Sequence, residues 1–229
     1  MSALDTEGSL LSLYRANAYG LAARTLSGPE GALNKALYQE WAVALREVPS
    51  LAGLAPAVEA ILASLDGTTP RAVTHEHTEL FLKAGAAPYE GSYLPSTRAT
   101  QELADVSGFF LAFGVQARGE RADHLVAELE LLALLCLKES VARANGEEEH
   151  AALCRDAQAK FLADHLGRWV PLYAERVRER ARLPLYPAVV DVVRRLVAID
   201  AEGLGIRPEQ IQEVPKDEPK DVPACGVAG

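Results

Sequence analysis

Apolar side chains recur at helical spacing along most of this chain. Over residues 9–27, Leu10, Leu13, Tyr14, Ala18, Leu21 and Ala22 fall on one helix face. Gly28-Pro29 stops that helix, because Gly suits the position just past a C-terminus and Pro cannot continue the hydrogen-bond ladder. A second helix is expected over 30–47, carrying Leu33, Leu37, Trp41 and Leu45 and ending before Pro49; a third runs over 55–65 and ends at Asp66-Gly67. Thr69-Pro70 reads as an N-cap followed by a first-turn proline, opening a helix to about Leu82. Residues 83–95 then break the pattern. Two glycines, two prolines and two tyrosines stand there between helices, the composition of a packed functional loop.

Ser96 is the expected cap of a helix over 97–113 with Phe109, Phe110, Leu111 and Phe113, and 114–121 reads as loop. Asp123 is the expected cap of the next helix, 125–144, whose leucines cover nearly the whole circumference. A helix apolar all round belongs at the centre of the fold. Asn145-Gly146 ends it, and three further helices follow at about 147–165, 168–182 and 185–203. The last contains Val189, Val190, Val192 and Val193, a run that resembles a strand but has no turn residues framing it, so it is read as helix. From Arg207 the periodicity stops and Pro208, Pro215, Pro219 and Pro223 punctuate an acidic stretch. The pattern thus predicts an all-α fold: a single globular domain of about eight or more helices around a central buried one, spanning 1–206, with 207–229 as a disordered Pro-rich tail.

Composition supports the same class. Ala and Leu number 39 and 33, Val and Ile only 18 and 4, a balance that favours helix over strand. With 229 residues the chain can bury a sizeable core, and at 49% apolar and 24% charged it is neither disordered nor fibrous. The net charge of −9 argues against nucleic acid as a partner. No run of eighteen or so uncharged apolar residues marks an integral membrane segment. The acidic start Met1-Ser2-Ala3-Leu4-Asp5 lacks the basic opening of an export signal, and Cys136, Cys154 and Cys225 are too few and too scattered for a disulfide framework or zinc cluster. A cytoplasmic location is the expectation.

Phosphate-loop, dinucleotide-binding and nucleophile-elbow patterns are all missing, so no catalytic residue is assigned and an enzyme is not expected. Metal chemistry fares no better. His75 and Glu79 share a helix face but His77 points elsewhere, and Glu147-x-x-His150 is a single pair where a di-metal bundle needs two. No cofactor or metal is implied. His124 and Glu128 stand one turn apart at the start of the buried helix, a spacing that ordinary helix capping and dipole chemistry explain equally well. Tyr89 and Tyr93 read first as packing residues. The residues alone describe an acidic helical binding protein.

Two segments taken together point further. Glu76-His77-Thr78-Glu79-Leu80-Phe81, followed by Pro88-Tyr89-Glu90-Gly91-Ser92-Tyr93, resembles the Glu-Tyr-x-Arg-Leu-Phe and Pro-x-Glu-Ser-x-Tyr signature of the TorD/DmsD/NarJ chaperones. Asp123-His124-Leu125-Val126-Ala127-Glu128-Leu129 is similar to that family's second motif, and Phe161-Leu162-x-x-His165-Leu166-x-x-Trp169 to its C-terminal half. The resemblance covers roughly 9–203. It departs at Glu79, where the family has Arg, at Lys83-Ala84-Gly85-Ala86, which replaces a Gly-Pro, and at Gly91, inserted between Glu and Ser.

The resemblance implies a cytoplasmic, system-specific chaperone. Its partner would be the apo catalytic subunit of a dimethyl sulfoxide reductase-type molybdoenzyme, held during molybdenum cofactor insertion, together with that subunit's twin-arginine leader in many members. A leader of this kind joins a basic patch to an apolar stretch, so its receptor needs carboxylates beside an apolar groove. The expected contacts are Tyr89, Glu90 and Tyr93 from the loop and Asp123, His124 and Glu128 from the helix start, with Glu76, Phe81, Pro88, Ser92 and Leu125 supporting the motifs. The tyrosines would form the apolar wall, the acids would meet the basic patch, and His124 would orient the ligand. A helical adaptor with other partners is the alternative. Monomer and domain-swapped homodimer are both open, and the client enzyme and the role of Cys225 are not written in the sequence.

Overall fold

The computed structural model describes residues 3–83 and 85–214. Among these the secondary structure is helical: α1 (Ala3–Leu26), α2 (Pro29–Ala32), α3 (Lys35–Glu47), α4 (Ala55–Leu65), α5 (Pro70–His77), α6 (Ser96–Ala112), α7 (Leu125–Asn145), α8 (Glu148–Phe161), α9 (Gly167–Arg180) and α10 (Leu185–Leu204). α7 is the axis, packed along α1 on one side and α8 on another, while α10 closes against α9, α4 and α1. Its apolar circumference explains the position. Leu125, Leu129, Leu132, Leu135 and Cys136 are all buried, as are Leu131 and Ala127 on other faces. Gly146 ends it at φ 72°, and Glu147 N–H donates back to Ala142 O at 2.8 Å, a left-handed cap that glycine adopts without strain. The valine run lies inside α10, with all four valines buried. No single described helix is long and apolar enough to cross a membrane.

The structure departs from the sequence pattern at four places. The helix expected over 30–47 is broken at Leu33-Asn34, because the Asn34 side chain accepts from Leu37 N–H at 3.2 Å and caps α3 instead of continuing α2. Ser96 is the first residue of α6 rather than its cap, the cap position being Pro95. His124, not Asp123, caps α7: its Nδ1 accepts from Val126 N–H at 3.1 Å. Finally, residues 207–214 are not a loose tail. Ile211 N–H donates to Arg168 O at 2.9 Å, and Ile211 and Val214 pack on the core. Pro208 sits so close to Gly167 that a Cβ there would meet it at 2.5 Å. Apolar residues at 208, 211 and 214 supply the anchors that the prolines and charges obscured. The rest of the expected tail, with Cys225, lies outside the described residues.

Two wide turns shape the surface around α7 and α9. α5 runs on into a π-helical turn, Thr78–Leu82, and α8 into another, Leu162–Leu166, which leads directly to α9. Such turns rotate the next side chains off the regular helical face. A buried ionic network ties the remaining helices together. Arg15 on α1 donates to both oxygens of Asp200 on α10 (2.8 and 2.8 Å) and to Gln158 on α8 (2.7 Å). Gln158 in turn donates to Glu139 of α7 at 2.9 Å.

Candidate functional site

The loop before α6 and the start of α7 are stitched together by backbone. Leu125 N–H donates to Pro88 O at 2.8 Å and Glu90 N–H to Asp123 O at 2.9 Å, an isolated antiparallel bridge between Tyr89 and His124. The two side chains therefore stand together, ring centroids 4.9 Å apart and edge to face. This pair forms one wall of a cavity of about 250 Å³, with Phe81 and Leu82 from the π turn opposite and Leu125 and Val126 as floor. Leu82 is 71% exposed at the rim. Glu120, Arg118 and Glu130 complete the lining with charge.

Each wall residue is held from behind. The Tyr89 hydroxyl donates to Glu120 Oε2 at 3.0 Å, and the Arg121 guanidinium lies 5.1 Å over its ring. Burial and the neighbouring Glu120 carboxylate both push the Tyr89 pKa up, so its hydroxyl stays a donor. Burial lowers the His124 pKa, and with Nδ1 accepting the cap bond the neutral ring carries its hydrogen on Nε2. Phe81 is fixed by edge contacts with His77 (5.2 Å) and Tyr186 (5.1 Å).

The acids expected to meet a basic segment are turned inward instead. Asp123 is fully buried and takes Arg121 on both oxygens (2.9 and 2.6 Å), with Gly91 N–H at 3.3 Å on one of them. The inserted Gly91 allows this approach, since a Cβ there would lie 3.1 Å from the same carboxylate oxygen. Glu128 is fully buried under Trp169, whose Nε1–H donates to it at 3.2 Å. Burial, reinforced by the nearby Glu90, raises its pKa well above the ordinary carboxylate value, which favours the protonated form. Glu90, also fully buried, pairs with His165 Nδ1 at 3.1 Å.

Tyr93 is likewise interior. Its hydroxyl donates to Ala87 O at 3.1 Å, and its ring lies against Trp169 and Tyr173. Glu76 accepts from Arg182 N–H and from Leu183 N–H, the latter at 3.0 Å, and so ties α5 to the turn between α9 and α10. Ser92 is exposed and donates its N–H to Tyr89 O. The structure thus gathers Tyr89, His124, Phe81, Pro88 and Leu125 on the groove and sets Glu90, Tyr93, Asp123, Glu128 and Glu76 behind it as its frame.

Sequence reasoning missed the groove's own carboxylates. Glu130 is the one exposed charge in the first half of an otherwise apolar helix, a signal open to reading; nothing in the sequence marks Glu120 or Arg118. On the His75/Glu79 face, Glu79 pairs with Lys83 at 2.8 Å and His75 is exposed.

The described residues thus present an all-helical fold with an apolar groove rimmed by charged side chains. The family model of the nitrate reductase delta subunit matches residues 37–175, and the chain belongs to that family. It is the family of TorD- and NarJ-type chaperones that the motifs resemble. Relatives include the chlorate reductase assembly chaperone protein of Ideonella dechloratans, 33% identical over 55% of this chain and 65% of its own. The perchlorate reductase assembly chaperone protein of Dechloromonas aromatica is 30% identical over 52% of this chain and 54% of its own. For the selenate reductase assembly chaperone protein of Thauera selenatis the figures are 32%, 65% and 81%. The chain thus spans between about half and four fifths of these relatives' lengths.

Proposed function

We propose that this chain is a system-specific assembly chaperone, a binding protein without catalytic chemistry, whose client is the apo catalytic subunit of a dimethyl sulfoxide reductase-type molybdoenzyme. It holds the subunit in the cytoplasm until the molybdenum cofactor is inserted. The groove beside Tyr89 and His124 takes a client segment that joins apolar side chains to a basic one, the composition of a twin-arginine leader.

One observation carries the reading: two exposed carboxylates, Glu120 and Glu130, flank an apolar trough built from Phe81, Leu82, Leu125 and Val126. Apolar burial supplies affinity, and guanidinium–carboxylate pairing supplies register and selectivity for arginine over lysine. The buried acids act through the frame by holding Tyr89 and the first turn of α7 in place.

The first test is a pull-down of the tagged full chain from its host, grown under anaerobic conditions that induce a molybdoenzyme. Recovery of one large reductase subunit supports the reading, and recovery of none defeats it. Deleting the leader of the captured subunit then separates leader recognition from recognition of the mature subunit. With a synthetic leader peptide, the Glu120→Gln/Glu130→Gln double variant should bind roughly tenfold or more weakly at low salt, with the difference shrinking as salt rises.

A further inference from the structure

Behind the groove, three elements bring one imidazole and two carboxylates to a point. Glu90 comes from the turn Glu90–Tyr93, Glu102 from α6, and His165 from the π turn Leu162–Leu166. One donor atom from each lies within 4.8 Å of the others, and all three residues are buried. We propose that Glu90, Glu102 and His165 form a binding site for one first-row divalent transition-metal ion of the zinc and cobalt class. The site is distinct from the client groove and from the His75/Glu79 face.

The donors are already nearly placed. Glu90 Oε2 lies 3.1 Å and Glu102 Oε2 3.9 Å from His165 Nδ1. An ion about 2.0–2.2 Å from each donor holds tetrahedral donors roughly 3.3–3.5 Å apart, close to both separations from the imidazole. Glu102 divides its oxygens: Oε1 faces Arg98 (3.1 Å) and Arg168 (3.6 Å), leaving Oε2 turned to the imidazole. On the far edge of the ring, His165 Nε2 lies 3.5 Å from Asp105 Oδ2. The two are not hydrogen-bonded, and Nε2 is otherwise without a partner, so a small turn of Asp105 toward the ring would complete the outer support that metal-bound histidines carry.

A second observation points to a ligand. Glu90 is fully buried, yet its Oε1 has no hydrogen-bond partner. A buried carboxylate oxygen without a partner is costly, and an ion held by both oxygens of Glu90 would satisfy it. A simple Glu90–His165 ion pair leaves that oxygen unsatisfied. The donor set is oxygen and nitrogen without thiolate, which suits Zn²⁺ or Co²⁺ and disfavours Cu⁺. Entry is from the α6 surface, where Asp105 is exposed.

The test is titration of the metal-stripped full chain with Co²⁺, followed by visible absorption, and with Zn²⁺, followed by calorimetry. One ion per chain and a rise in thermal midpoint are expected. Glu102→Gln keeps an acceptor for Arg98 and Arg168 but removes an anionic donor, and should weaken binding at least tenfold; Asp105→Asn should weaken it about tenfold. His165→Gln should abolish it. Should that variant fail to fold, as judged by circular dichroism, the Glu102 and Asp105 variants decide alone. The His75→Ala/His150→Ala variant removes the exposed histidines and should bind as the parent does. Absence of saturable binding at 100 μM or so of either ion overturns the proposal. So does binding that survives in the Glu102 and Asp105 variants and disappears in the His75/His150 one.

Discussion

At the scale of single residues, the Glu128 pKa is pushed well up in the core, because burial next to Glu90 costs its charged form more than one bond from Trp169 returns. The motif resemblance sets this acid against a basic ligand, and the fold sets it against an indole instead. Its folded pKa lies above the unfolded value, so the charge it must give up on folding costs more as pH rises above about 4.5. Glu128→Gln should therefore be as stable as the parent near pH 4.5 and gain on it as pH rises above that value, as read by urea unfolding across a pH series. Glu128→Ala should instead lose about 2–4 kcal/mol, since it leaves the Trp169 N–H unpaired beside a cavity. His124 gives the opposite slope. Its lowered pKa means that the neutral ring is the folded form, so its share of stability is complete above about pH 6.5 and fades as pH falls below that value. Protonation also removes the Nδ1 lone pair that caps α7. His124→Asn, which caps without titrating, should flatten that loss, as read by urea unfolding at pH 7 and pH 5.5.

At the scale of elements, most of the fold was legible, because helix starts and stops are written in local chemistry. Thr69-Pro70 opens α5 as expected, with Thr69 Oγ1 accepting from Ala72 N–H, and Gly146 closes α7. What stayed hidden depends on contacts between elements. The choice of His124 over Asp123 as cap stems from Arg121 and Gly91 claiming the aspartate, and neither claim leaves a periodic trace. The π turns are equally silent, yet one of them presents Phe81 and Leu82 to the groove. That turn is pinned by Gly85, where a Cβ would meet Glu79 O at 2.7 Å and Leu80 O at 2.9 Å. Since both obstacles are backbone, Gly85→Ala should cost about 1–3 kcal/mol in unfolding free energy and weaken leader-peptide binding through displacement of the π turn. The same substitution at Gly108, with open space around its Cβ position, should do neither.

At the scale of the whole molecule, α7 joins the proposed binding groove to the core. Its first turn floors the groove, its middle fills the core, and Glu139 near its end belongs to the network around Arg15. Asp200→Ala would leave the buried Arg15 guanidinium with only the longer 3.4 Å pairing to Glu139 as its ionic partner, at about 3–5 kcal/mol. For a chain of this size that corresponds to a drop in Tm of roughly 6–20 °C, visible by scanning calorimetry. Because the groove is assembled from α5's π turn, the Tyr89 loop and α7 together, a ligand seated there stabilises their mutual packing and hence the fold as a unit. A leader peptide at about a hundred times its Kd should therefore add about 2.7 kcal/mol by mass action. Glu120→Gln/Glu130→Gln should retain the unliganded Tm, since both side chains face solvent, and should lose most of the ligand-induced rise at the same peptide concentration. A rise that persists undiminished in that variant would place the peptide on another face of the molecule, and the apolar trough would then be part of the core's packing rather than its binding surface.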